Sequence, residues 1–380
     1  MKILLLGEYS RLHNSLKEGL ESLGHDVLLV GTGDNFKQYP SDIDVSSQLR
    51  KNFWLNKWWL AVYFLTGYNH FKKDIYKNIM KLVPELKNFD VVQLINEDPF
   101  AIYPEDEIDF LTHIFRQNKK VYLSACGEDS HVIQYYNDKK MRYSILTPFF
   151  EMPHLKSDFD FSYKYLREPY LKLHHLVTER IQALIPSDLD YAIPYQGHPK
   201  AAPMIPNPVN IDKIRFKVLK IDQKINIFFG INRNSYYKKG SHIVLEVLEK
   251  IQHEYSERVH IVLAENLPYN DYIKFYNDAH IFIDQLYSFD QGFNALEAMA
   301  AGKCVVTGAE KEFVEYYHLD KEVAVNGLPD AHRLYETIAQ LIENPERIVE
   351  IGKNAREFIE KEHDYQKIAQ KYLDTWQKTY

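Results

Sequence analysis

MKILLLGEYSRLHNSLKEGLESLGHDVLLV, residues Met1–Val30, opens on an uninterrupted apolar run from Ile3 to Leu6. A run of that length without polar alternation predicts a strand buried on both faces. Leu12, Leu16, Leu20 and Leu23 then recur at helical spacing, and Gly24 suits the end of that helix. Val27–Val30 repeats the strand pattern. A strand, a helix and a strand within thirty residues predict a parallel sheet. Four apolar residues ahead of Gly7 and Glu8 are too few for a secretion signal, so the opening is expected to be structural.

The same pattern continues at Val91–Ile95 and Val121–Ser124, then restarts with Ile225–Phe229. After that restart come a helix carrying Ile243, Val244, Val247, Leu248 and Ile251, and a strand at Val259–Leu263. A helix near Tyr269–Tyr276 and strands at His280–Ile283 and Cys304–Val306 complete the second set. Between the sets lies AAPMIPNPVNIDK, residues 201–213, whose prolines at 203, 206 and 208 mark a linker. A chain of 380 residues exceeds the usual size of one domain. The predicted fold is therefore α/β: two doubly wound, Rossmann-like domains facing each other across a cleft. The expected boundaries are 1–205, 206–365 and a last helix, 366–380, packing back on the first domain.

Net charge of -7 excludes a broadly basic surface, and with it a general nucleic-acid binder. Two cysteines, Cys126 and Cys304, stand far apart without metal-ligand spacing, which suits a reducing cytoplasm. No segment approaches the length of a membrane-spanning helix. A cytoplasmic location is expected, and no metal site.

Chemistry is expected at strand ends. The loop GINRNSYYKKG, Gly230–Gly240, follows one strand and brings Arg233, Lys238 and Lys239 to the cleft side. A forked guanidinium and a compact ammonium together suit phosphate oxygens; a solvated basic loop is the plainer reading. In SFDQGFNALEAMAAGKCVV, Ser288–Val306, a helix starts at Gly292, Phe293 and Asn294, where free N–H groups favour an anion. Glu297 lies one turn inside, among Ala, Leu and Met, on what reads as a buried face. A carboxylate there needs a polar partner, and the hydroxyls of a ribose would supply one. His174 and His175 are adjacent and point to different helix faces, which is poor geometry for a metal.

GFNALEAMAAGKCVV, the Arg233 and Lys239-Gly240 pair, IPNPVNID and the closing LIENPERIVEIGKNAREFIEKEHDYQKIAQKYL resemble the retaining glycosyltransferases of family 4, which have the GT-B fold. The resemblance covers about residues 205–380 and is one of pattern before that. It implies that Arg233 and Lys239 bind a donor's diphosphate, with the amides of Gly292, Phe293 and Asn294, and that Glu297 binds the ribose. It implies a polar group facing the donor sugar from Ala125–His131, with Asp129 or His131 as candidates; Asp129 reads equally well as a helix cap beside Glu128. It also brings acceptor and diphosphate to the loop at Gly7. The family usually carries a second glutamate eight positions before Glu297, and that position here is Phe289. Asp290 is the expected stand-in, unless it caps the helix at Gly292, with Asp284 next in line.

The resemblance thus implies a metal-independent glycosyltransferase without a cofactor, moving a sugar with retention. The donor would be a nucleotide sugar and the acceptor a carbohydrate or lipid-linked saccharide, in bacterial cell-envelope polysaccharide or glycolipid assembly. A GT-B nucleotide-sugar epimerase, a phosphorylase and a non-catalytic nucleotide-sugar-binding subunit are the alternatives. A dinucleotide oxidoreductase ranks below them, because GEYSRLHN has one glycine where that fingerprint needs several.

One segment stands apart. Arg50–Lys73, RKNFWLNKWWLAVYFLTGYNHFKK, holds Trp54, Trp58 and Trp59 between basic ends. Such a composition suits an interfacial helix at the inner face of a membrane. A helix packing its tryptophans into the first domain suits the same residues.

Overall fold

The computed structural model describes residues 1–33, 39–50, 53–265 and 269–378. Among them, β1 (Lys2–Leu6), β2 (Asp26–Gly31), β3 (Ile43–Asp44), β4 (Val91–Leu94), β5 (Val121–Ala125) and β6 (Leu184–Pro186) form one sheet, ordered β3-β2-β1-β4-β5-β6. A second sheet, ordered β11-β10-β9-β7-β8, comprises β7 (Ile225–Gly230), β8 (Val259–Ala264), β9 (Ile281–Ile283), β10 (Cys304–Thr307) and β11 (Val325–Asn326). All pairings are parallel; in the first sheet Leu4 lies between Leu28 and Val92. Ile3–Leu6 are completely buried because helices cover both faces of the sheet.

The first sheet changes its direction of growth between β1 and β4, and the second between β7 and β9. In open parallel sheets, ligands bind beyond the carboxyl ends of strands at such points. Gly7 follows β1 and takes a left-handed conformation, φ +83°. A Cβ there would lie 2.4 Å from Ile95 and 2.6 Å from the carbonyl oxygen of Pro99, so only glycine fits between the two strand-end loops.

The chain crosses between domains twice, side by side. Val209 N donates to the carbonyl of His363 (2.8 Å), Tyr365 N donates to that of Val209 (3.2 Å), and Nδ1 of buried His363 meets the carbonyl of Asn207 (2.9 Å). The helix Tyr365–Gln377 then returns to the first domain and crosses Leu12–Ser22 at Gly19, where a Cβ would sit 2.3 Å from the Tyr365 carbonyl. Trp376 is fully buried there, and its Nε1 donates to Gln93 Oε1 (3.0 Å), a polar side chain in the middle of β4.

The tryptophan-rich segment forms the helix Phe53–Thr66, and none of its residues is buried. Of its three tryptophans, Trp59 is half-buried with its ring centre 3.9 Å from that of His70, and the other two do not pack into the domain. Trp54 is 77 % exposed, Trp58 64 %, Phe64 82 % and Leu65 86 %. Large apolar residues occupy every side of the helix, so no single face can hide them. Lys51 and Asn52 lie outside the described residues. The next helix, His70–Leu82, anchors this one: Asn69 caps it, and Asn69 N donates to the Tyr103 hydroxyl (2.5 Å).

Candidate active site

In the second domain the loop after β7 is fixed by its own backbone. Asn232 accepts from Asn234 N, Gly240 turns the chain at φ +75°, and Leu286 N donates to the Lys239 carbonyl (3.1 Å). Lys239 Nζ then lies 2.6 Å from Asp284 Oδ1, just past β9. The other oxygen of Asp284 is buried, has no partner among the described residues, and faces Gly292, where a Cβ would lie 3.1 Å from it. Gly292 has an ordinary extended conformation, φ −71° and ψ 164°, so it is needed for space and not for an unusual dihedral. No side chain caps the helix Phe293–Ala300, which leaves its first-turn amides available to a ligand. Phe293 is buried and Asn294 exposed.

Arg233 stands one strand further out. Its side chain is 59 % exposed, and its guanidinium forks onto Glu265, at the end of β8, at 2.5 and 2.6 Å. Lys239 and Gly292 thus converge on Asp284, while Arg233 is held apart on an acidic partner that an anionic ligand would have to replace.

Glu297 is not on the buried face that its neighbours suggest. Ala295, Leu296, Ala298, Met299 and Ala300 fill the core, and Glu297 turns to the cleft with its side chain 32 % exposed. Arg11, from the first domain, approaches it to 3.9 Å.

Phe289 is buried, with its ring 5.1 Å from Tyr143 and 4.5 Å from the Arg142 guanidinium carbon. Arg142 forks onto Glu312 at 2.6 and 2.8 Å and reaches Glu310 at 2.8 Å, joining the two domains over that ring. The position where the family has a glutamate is an apolar domain contact.

Asp290 neither caps the helix at Gly292 nor opens on the cleft. It is buried, with Oδ1 accepting from Gln291 N (2.8 Å) and Oδ2 from Leu189 N of the first domain (3.3 Å). Asp190 answers from the other side: Oδ1 accepts from Phe289 N (2.9 Å) and Oδ2 from the Ser288 hydroxyl. Burial, with the charge of Asp190 added, pushes Asp290 up to about 7. Burial pushes Asp190 up to about 6, and buried Asp188 beside them rises well above the usual carboxylate range.

In the first domain Asp129 caps Ser130–Asn137, accepting from Val132 N (2.7 Å), and its other oxygen accepts from the Tyr195 hydroxyl (2.9 Å). It is buried, and burial together with the charge of Glu97 pushes it up to about 7. His131 stacks on Tyr195, 4.5 Å between ring centres, and its Nε2 meets the Pro194 carbonyl (2.9 Å). Burial lowers its pKa. Both of the sequence's candidates on this loop have protein partners of their own.

The sequence reading passed over Glu97, three residues past β4. It is completely buried, accepts from Ser130 N and Oγ at 3.0 Å each, and lies 2.5 Å from Nδ1 of His174. Burial works against charge on His174, and the Glu97 carboxylate overcomes it, raising the pKa. Lys238 does reach the cleft side as expected, but its pairing with Glu128, 2.6 Å from its Nζ across the domain boundary, was unforeseen. Position at a strand end was the one sequence signal these residues carried. Among the described residues no three His, Cys, Asp or Glu side chains are placed to hold a metal ion, and no helix is long and apolar enough to cross a membrane.

Residues 236–374 match the family described as glycosyl transferase-like. No curated protein matches the chain. Sucrose-phosphate synthase from Thermosynechococcus elongatus superposes with a TM-score of 0.57 at 14% identity, covering 99% of this chain and 98% of that one. HepE from Anabaena, solved with UDP and glucose, gives 0.59 at 12% identity and 99% of both chains. A putative UDP-N-acetylglucosamine 2-epimerase from Listeria monocytogenes gives 0.52 at 12% identity, with 98% and 94% covered. At such identities the superpositions carry the fold, and the sequence match carries the second domain. The protein has the GT-B fold, and its residues 236–374 are similar to the glycosyl transferase-like family.

Proposed function

We propose that the protein transfers a sugar from a nucleotide-sugar donor to a hydroxyl of a carbohydrate acceptor. One observation carries this reading: Lys239, the uncapped helix start at Gly292 and the cleft-facing Glu297 lie together at the switch point of the second sheet. Such a set suits a nucleoside diphosphate, with cation and amides on the phosphates and carboxylate on the ribose. As the glycosidic bond breaks, charge grows on the diphosphate, and preplaced donors lower that barrier. Arg233 would join the phosphates by leaving Glu265. Retention, independence of metal and a place in envelope polysaccharide assembly rest on the family resemblance. Thermal stabilisation by UDP, GDP, ADP and CMP tests the reading and identifies the base; no stabilisation by any of them rejects it.

Phe289 favours a second reading, in which the chain binds a nucleotide sugar without transferring it. Release of free sugar from the bound donor separates the two, since slow hydrolysis needs the leaving-group site to work. The putative epimerase of the same fold adds a third product to look for, the inverted sugar nucleotide.

Glu297→Gln keeps the size of the side chain and removes its charge. It is expected to weaken binding of the preferred nucleoside diphosphate by about tenfold, the difference between a charged and a neutral acceptor. Wild type should show a similar loss with the 2′- and 3′-deoxy nucleotides. Equal binding of ribose and deoxy forms removes Glu297 from the ribose.

The proposed location is peripheral to a membrane through residues 50–73, with a lipid-linked saccharide as the acceptor. Support comes from Phe53–Thr66, whose exposed aromatic and aliphatic side chains accompany Lys57 and no acidic residue. Wild type is expected to float with anionic phosphatidylglycerol vesicles and to blue-shift its tryptophan emission. Trp54→Ser combined with Trp58→Ser and Phe64→Ser should cut that binding by more than about tenfold, given the apolar area removed. Vesicle binding that survives the triple substitution assigns the contact to another surface.

A further inference from the structure

Between Thr147 and Tyr170 the chain has seven phenylalanine and tyrosine residues, and six of them pack into the core of the first domain. Phe161 is the seventh. It lies in the short helix Asp160–Tyr163, two residues after completely buried Phe159, and is itself 55 % exposed. Its ring is nevertheless held in place. Tyr165 meets it edge to face, 6.0 Å between ring centres, and Lys164 Nζ lies 4.0 Å from its centre. Lys164 is fixed in turn, because its ammonium reaches Oδ2 of completely buried Asp98 in the loop after β4 (3.1 Å).

The second domain reaches the same ring. Lys238, the chain neighbour of Lys239, places its Nζ 5.3 Å from the ring centre of Phe161. That ammonium also lies 2.6 Å from Glu128 Oε1, in a pair that is mostly buried. The other oxygen of Glu128 is buried and has no partner among the described residues. A buried acceptor without a hydrogen bond is costly until a ligand or water completes it. An exposed flat ring, two ammonium groups and a carboxylate with spare capacity thus meet where the domains face each other, one residue along the chain from the lysine of the donor side.

We infer that Phe161 is the platform of an acceptor subsite that takes a neutral pyranose. This rests on the transfer reading above and names the class of its acceptor. A pyranose has a face of weakly positive C–H bonds, which suits the negative face of an aromatic ring. Its rim carries hydroxyls, each able to donate and to accept. Glu128 accepts from one of them, and Lys238 or Lys164 donates to its neighbour. Both ammonium groups already have carboxylate partners, so the subsite is balanced in charge and suits a neutral sugar better than a uronic acid or a phosphate. Lys238 also ties the two ligands together, since the loop that carries Lys239 to the diphosphate closes over the acceptor.

Saturation-transfer NMR on the full chain tests this with methyl β-D-glucoside, methyl β-D-galactoside and methyl N-acetyl-β-D-glucosaminide, and with methyl β-D-glucuronide as the charged comparison. At least one neutral glycoside is expected to bind wild type, and more tightly than the glucuronide. Phe161→Leu stays apolar and loses the flat ring. Because the position is exposed, the variant should fold as wild type does and bind that glycoside about tenfold more weakly, the loss of one ring contact. Phe161→Tyr keeps the ring and should bind within about twofold of wild type. Affinity unchanged in Phe161→Leu, or wild type that binds none of the three neutral glycosides, overturns the platform. Preference for the glucuronide over all three overturns the neutral class. Stabilisation by UDP, GDP or ADP should be the same in Phe161→Leu and wild type. Wild type that binds a neutral glycoside through Phe161 and none of these nucleotides leaves the saccharide subsite standing and rejects the nucleotide-sugar reading alone.

Discussion

Lys239→Ala is expected to lower turnover of a nucleoside-diphosphate sugar by about a hundredfold to a thousandfold, the usual result of removing one preplaced donor from a developing oxyanion. Lys239 sits on the last backbone link between the β7 loop and the end of β9, so its ammonium is positioned before any ligand arrives. The substitution also has a structural cost. Asp284 has only 6 % of its side chain exposed, and without Lys239 neither of its oxygens has a partner among the described residues. Leaving one member of a buried pair alone costs up to about 3–5 kcal/mol, and less here because Lys239 is itself 26 % exposed. A loss of activity could therefore reflect a damaged fold. Asp284→Asn in the same chain separates the two effects, since it removes the stranded charge without replacing the cation. The double variant should regain most of the lost melting temperature and none of the lost turnover. Turnover that returns with stability would make Lys239 a structural residue.

Lys239 and the helix start could be read from sequence because each is local. A strand, a short loop and a helix fix where the loop residues point, whatever the rest of the chain does. The longer strands were legible for a similar reason, as runs buried on both faces leave no polar alternation. β3, β6 and β11 were not: with two or three residues each, they carry no period. The tryptophan helix misled because helical spacing shows where apolar residues lie and not whether anything covers them. Glu297 misled in the opposite way, since in an eight-residue helix one position among five core residues can still face out. Arg11 with Glu297, Lys238 with Glu128 and Asp290 with Leu189 were beyond the sequence altogether. Each joins the two domains, and only the relative placement of the sheets creates it.

That placement is expected to respond to pH through Asp290. Asp290, Asp190 and Asp188 are buried where the Ser288–Gln291 loop of the second domain meets the Ser187–Tyr191 segment of the first. Buried carboxyls near one another resist ionisation, because each charge is desolvated and repels the next. Oδ1 of Asp188 finds no partner among the described residues, and no cation of either segment answers the three. Tyr316 and Tyr317, which also face Asp290, stay neutral, because burial raises both. For an acid whose pKa is higher folded than unfolded, the contribution to stability is fully present below the unfolded value. It is lost as pH rises through the folded one. For Asp290 the rise is from 3.8 to about 7, which at 1.36 kcal/mol per pH unit corresponds to at most roughly 4 kcal/mol lost by pH 8. Asn at this position stays neutral and can still accept from Gln291 N or Leu189 N. Asp290→Asn should therefore melt close to wild type at pH 4, increasingly above it from pH 5 to 7, and by the full margin at pH 8. Asp190, raised only to about 6, should ionise first, so the corresponding gain for Asp190→Asn would begin at the same pH, level off about one pH unit lower and be smaller. A difference between Asp290→Asn and wild type that stays flat across this range would mean the carboxylate ionises freely in the folded protein, and the domain contact would then have to open before pH 7.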